Sequence, residues 1–195
     1  MKNCFFIVMI LSSILLPLNS LLAKESQGSG KVLSIAGAVK NHGQWSIDQL
    51  KTQFADQITE VEFWDSLPTW TKRTATGIPL YALIKAAEPD KEKETEWTRR
   101  DRSDSVLHSH MTFFVILEAR DSFHAFFSLA ELMPEFRPAQ VYLVWDKDGE
   151  PLSGKDAPLR LAIKDAKAPD RGIWGISRIT IVDGEKLAEQ LKVSK

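Results

Sequence analysis

The apolar residues of this chain fall mostly into short alternating runs, and only a few stretches show the spacing of a helix. Lys31–Lys40 reads as a strand, with Gly37 placed for a bulge or a close crossing. Thr59–Trp64 alternates in the same way. Thr112–Arg120 and Ser122–Ser128 alternate on either side of Arg120-Asp121-Ser122, which predicts a hairpin. Gln140–Trp145 is apolar on both faces and is expected to be covered on both sides, and Ala157–Ile163 and Trp174–Val182 add two more strands. Asp148-Gly149 is a hairpin turn. Helical spacing appears at Ile47, Leu50 and Phe54, opened by Ser46 with Gln49 three residues on, and at Leu80, Leu83, Ile84 and Ala87 after Pro79. Ser128 and Glu131 cap a third helix that Pro134 shortens, and Gly184–Lys195 predicts a weak terminal one. Asn41–Gln44 reads as a turn and Asp65–Thr76 as irregular. Residues 113–182 are the organising stretch, and their pattern predicts at least four strands and one short helix, with no room for long helical layers.

The first residues do not fit that pattern. Lys2 precedes a nearly unbroken apolar run, Phe5–Leu18, and a small-residue end at Ala23, as in an export signal. The expected division is therefore a signal peptide over 1–23, a flexible leader over 24–30 and a single domain over 31–195, periplasmic or secreted and free of the membrane after cleavage. Cleavage would remove Cys4, the chain's one cysteine. The mature chain would have no disulfide, no thiol nucleophile and no sulfur donor for a metal. Cleavage also takes one lysine, leaving 24 basic against 26 acidic residues. No basic stripe suited to a phosphate backbone remains, so no nucleic-acid partner is expected.

General motifs assign no enzyme. Gly-rich phosphate loops, nucleophile elbows and zinc-binding helices are missing, and Asp146, Asp148 and Glu150 lack the glycine and closing glutamate of a calcium loop. His108 and His110 share one face of an extended segment as a weak alternative metal pair, with no third ligand specified nearby. Arg160 stands out because it lies between leucines in a run that should be buried, where a guanidinium requires an anion from the protein or a ligand. Trp64, Asp65, Ser66, Trp70 and Arg73 form a segment rich in aromatic and charged groups. Lys167, Arg171 and Trp174 offer two cations and an indole near the last strand.

Taken in order, several stretches resemble the sulfite-oxidase-type molybdopterin-binding domain. They are Leu33–Val39 with the capped helix at Ser46, Thr76–Ile84, Asp121–Leu132, Gly149–Leu152, Ala157–Leu161 and Trp174–Ile179. The resemblance spans roughly 31–183 and implies that family's α/β fold of mixed, α+β character, with mixed β-sheets and short peripheral helices. In enzyme members it implies a pterin-bound molybdenum, ligated by a cysteine ahead of the Gly-Val-Pro-Leu motif. Here that neighbourhood is Phe63-Trp64-Asp65-Ser66, without sulfur. Arg160 matches an arginine that lies near the pterin phosphate in those members. These departures and matches give the expectation of a non-redox binding or accessory domain with no cofactor, whose partner is a small anion or a periplasmic protein. Its candidate site is Trp64, Asp65, Ser66, Trp70, Arg73, Arg160, Lys167, Arg171 and Trp174. The alternatives are a molybdopterin-dependent oxidoreductase and a structural or sensory module without a small-molecule site.

Overall fold

A computed structural model describes residues 30–65, 70–90, 111–136, 140–164 and 171–193 of the chain. Among them are eleven strands in three sheets. The strands are β1 (Leu33–Gly37), β2 (Gly43–Trp45), β3 (Thr59–Asp65), β4 (Thr71–Pro79), β5 (Phe113–Ala119), β6 (His124–Ser128), β7 (Val141–Val144), β8 (Asp146–Lys147), β9 (Glu150–Pro151), β10 (Arg160–Ile163) and β11 (Ile176–Asp183). The helices are α1 (Ile47–Gln53), α2 (Leu80–Ala87), α3 (Leu129–Leu132) and α4 (Gly184–Val193). The first sheet runs β2-β1-β11-β5-β6, the second β10-β7-β4-β3, and β8-β9 is a separate hairpin.

The organising stretch 113–182 divides between two layers. β5, β6 and β11 go to the first sheet, and β7 and β10 to the second. The inward faces of both sheets meet α1, α2 and α3 in one core, in which Phe113, Phe127, Leu83, Ile78 and Leu143 lose essentially all contact with solvent. β1 joins the first sheet parallel to β11, whereas every other pairing is antiparallel. That parallel pairing brings the first and last described strands together, with Gly37 at φ 95° lying against β11. A Cβ on Gly37 would sit 2.0 Å from the Ile181 carbonyl oxygen, so the close crossing requires glycine.

Both predicted capping boxes form. The Ser46 hydroxyl accepts from Gln49 N–H while the Ser46 N–H donates to the Gln49 side chain, and Ser128 and Glu131 do the same at α3. Each satisfies two otherwise unpaired helix-end groups. The hairpin tip at Arg120–Ser122 and the Asp148-Gly149 turn also form, with Ser122, Asp148 and Gly149 at positive φ.

Two stretches differ from expectation. Residues 71–76, expected to be irregular, are the first two-thirds of β4 and pair with β3 from Glu60 opposite Thr76 to Asp65 opposite Thr71. Their threonines, at 71, 74 and 76, suit a pleated surface, and cross-strand pairing outweighs the disorder suggested by neighbouring charges. Gly43–Trp45 is a short edge strand on β1, not part of a turn. β7 lies inside the second sheet between β10 and β4, with Val141, Leu143 and Val144 buried, so its two-sided apolar character has a structural cause.

Candidate functional site

The second sheet carries the chain's most unusual buried chemistry at the end where β3 stops and β10 starts. Alternation along β3 buries Val61, Phe63 and Asp65 and turns Trp64 to the surface. Arg160 opens β10, held by pairing with Val144 on one side and a bridge to Trp174 on the other. These placements bring Asp65 and Arg160 together although 95 residues separate them.

The pair is bidentate. Arg160 Nη2 donates to Asp65 Oδ1 at 3.0 Å and Nη1 to Oδ2 at 3.1 Å, with the two side chains only 4% and 2% exposed. The fork of the guanidinium matches the carboxylate, which is the geometry that makes Arg-carboxylate bonds strong. Two more charges complete the cluster. Lys147 Nζ donates to Asp65 Oδ2 at 3.2 Å and to Asp156 Oδ2 at 3.1 Å, and Arg160 Nη1 lies 3.4 Å from Asp156 Oδ2. Among the described residues two cations therefore face two carboxylates, and these four charges balance.

Aromatic rings cover it. The Arg160 guanidinium carbon lies 4.8 Å from the centre of Phe63 and 5.7 Å from that of Trp174, while Lys155 Nζ lies 4.1 Å from the same indole. Around the pair, Arg160 Nε, Asp156 Oδ1 and Trp174 Nε1 are buried without a hydrogen-bond partner among the described residues.

The loop that supplies Asp156 is tied to the first sheet. Arg120, at the tip of the β5–β6 hairpin, donates to the carbonyls of Gly154 (3.1 Å) and Ala157. Gly175 closes the same corner, its N–H donating to the Asp156 carbonyl at 3.2 Å while its own carbonyl accepts from Arg120 N–H at 3.0 Å. Arg120, Lys147, Lys155 and Asp156 were not apparent as members of a site from the sequence. Only the spacing of Asp156 four residues before Arg160 could have hinted at a pair. Lys147 reaches the cluster from β8 and Arg120 holds the loop that supplies Asp156, and no local pattern encodes either approach.

The remaining candidates are dispersed. Trp64 and Trp70 are exposed on the outside of the β3–β4 hairpin. Arg73 donates to Asp148 Oδ2 at 2.9 Å, and Asp148 Oδ1 also accepts from Thr74 N–H. Asp146 accepts from Thr76 N–H at 2.6 Å, so these two carboxylates hold the hairpin against β4. Arg171 lies at the first sheet, paired with Glu131 at 3.2 Å and set over the Phe127 ring at 4.6 Å. Ser66, Lys167, His108 and His110 lie outside the described residues.

The donor set does not fit a sulfur-ligated redox metal. Both oxygens of Asp65 face cations of the protein itself. A hard carboxylate so engaged is a poor substitute for a thiolate. No cluster of three or more His, Cys, Asp or Glu suited to a metal occurs among the described residues.

No protein-family model and no curated protein matches the chain. Solved structures do. The sulfane dehydrogenase SoxCD from Paracoccus pantotrophus is similar over 77% of this chain, with a TM-score of 0.52 and 16% identity. The match covers 38% of that protein's chain, so what is shared is a fold over part of a longer protein. The likeness supports the mixed α/β fold expected from the ordered motifs.

Proposed function

We propose that this chain is a non-redox accessory domain on a molybdopterin-binding type of fold, exported from the cytoplasm and binding a periplasmic protein. The carrying observation is the Asp65–Arg160 pair. The arginine that would address an anionic cofactor is neutralised by a carboxylate in the neighbourhood where the resembled enzymes place their metal-binding sulfur. A free anion would have to displace Asp65 from a bidentate contact at almost complete burial, which leaves a buried carboxylate short of its partner. That favours a protein partner over a small anion.

The first sheet adds support. On its outer side Phe114 and Phe126 lie on adjacent strands, Phe123 follows the hairpin tip, and all three are about half exposed. Apolar patches of this kind are commonly where proteins meet. The fold likeness to a dehydrogenase favours the second reading, a molybdopterin-dependent oxidoreductase that uses an unusual ligand.

Molybdenum and pterin content, measured on protein purified from a host that makes the cofactor, separates the two. The accessory reading expects well under one molybdenum per chain. Stoichiometric metal with extractable pterin overturns it.

A further inference from the structure

A cleft of about 380 Å³ lies between α1, the β7–β8–β9 hairpin and the loop that begins β10. It is separate in chemistry from the Asp65–Arg160 cluster. Trp145 and Leu152 form its apolar floor, with Ile47 and Pro158 as walls. Its volume lies in the range of pockets that take small ligands. Three charges stand at the mouth: Asp48 and Lys51 from successive turns of α1, and Asp146 from β8.

These charges are unequally engaged. Lys51 Nζ is 5.4 Å from the centre of the Trp145 ring, so one cation already addresses that indole. Neither Asp48 nor Asp146 has an ion-pair partner among the described residues, although Asp146 accepts a backbone hydrogen bond from Thr76. The mouth thus carries an excess negative charge over an apolar floor whose aromatic face is attractive to cations. An anionic ligand would meet two carboxylates, and a purely apolar one would leave them unanswered.

We infer that this cleft binds a peptide segment of a partner protein, taking an apolar or aromatic side chain onto Trp145 and Leu152 and a neighbouring lysine or arginine against Asp48 and Asp146. The site rests on the protein-binding reading above. The two are tested apart, because metal content bears on that reading and peptide binding on this cleft.

The probe is N-acetyl-Phe-Arg amide, titrated into the full isotopically labelled chain and followed by backbone amide shifts. Saturable shifts are expected at residues 47–51 and 145–152, with N-acetyl-Phe-Glu amide and N-acetyl-Ala-Arg amide binding more weakly. Two exposed positions give opposite signs. Asp48→Asn weakens the Phe-Arg probe by about two- to fivefold. Lys51→Met removes the resident cation and tightens it by about two- to fivefold. Shifts absent or mapping elsewhere, equal binding of the Phe-Glu probe, or affinities unmoved by both substitutions would overturn the assignment.

Discussion

Removing one member of the Asp65–Arg160 pair should cost far more than removing both. With Asp65→Leu, the one carboxylate left to Arg160 among the described residues is Asp156 at 3.4 Å, and the four-charge cluster passes from balanced to a net charge of +1 in a site where Arg160 is 4% exposed. Breaking a buried pair in this way costs about 3–5 kcal/mol, and the surviving Asp156 contact places this case near the lower end. At a urea slope of about 2 kcal/mol per molar, a loss of about 3 kcal/mol moves the unfolding midpoint down by about 1.5 M. Arg160→Met leaves two carboxylates against one lysine and should cost a similar amount. The double variant leaves apolar groups beside Phe63 and Trp174, and should lie within about 1 kcal/mol of the parent or above it. Urea denaturation of all four proteins, with single losses of about 3 kcal/mol each and a double variant within about 1 kcal/mol of the parent, gives a coupling energy of about 5–6 kcal/mol in magnitude if the pair acts as described. Single losses under about 1 kcal/mol, or single effects that add to within about 0.5 kcal/mol, would refute the reasoning.

Other outcomes follow from the packing. Gly77→Ala puts a Cβ 2.2 Å from the Leu143 carbonyl oxygen in the middle of the second sheet, so it should lower stability by more than about 3 kcal/mol in thermal or urea unfolding. Ser46→Ala removes one bond of the capping box and should cost about 1 kcal/mol in the same assay, with Ser46→Asp recovering most of it. The Tyr81 hydroxyl is held above the ordinary phenol value by burial and then by the nearby Glu135 charge. Its contribution to stability is therefore complete below about pH 10 and lost as pH rises through the higher folded-state value. Phenolate absorbance of Tyr142→Phe protein, which leaves Tyr81 as the only tyrosine, should show a midpoint above about 10; one at or below that value removes the burial argument.

Local structure was legible where a single pattern determines it. Ser46 with Gln49 and Ser128 with Glu131 specify helix starts through bonds between residues three apart, and Asp148-Gly149 specifies a turn through its own backbone preferences. Gln140–Trp145 announced burial on both faces by its composition, and Gly37 announced a close crossing. The residues 71–76 were harder, because their charges read as surface loop until β3 is known to lie alongside. The site was legible only in outline. Arg160 was conspicuous as a charge among leucines, but its partner could not be read because β3 and β10 are remote in sequence and lie at opposite edges of the second sheet. Lys147 reaches the pair from the β8–β9 hairpin and Asp156 from the loop before β10, and Arg120 holds that loop from the other sheet. Such positions depend on how the sheets are laid together, and nothing in a short window of sequence carries that information.

The accessory-domain reading depends on where the Arg160 guanidinium places its hydrogen bonds. Side-chain nitrogen-proton correlation spectra of the full chain address this directly, since a bidentate, buried guanidinium rotates slowly about its Nε–Cζ bond and shows separate Nη protons. The account predicts resolved Arg160 Nη signals that collapse in Asp65→Asn protein and stay unchanged when phosphate is added. Averaged signals indifferent to Asp65→Asn, or signals that shift saturably with phosphate, would show that Arg160 is open to an outside anion and would contradict it.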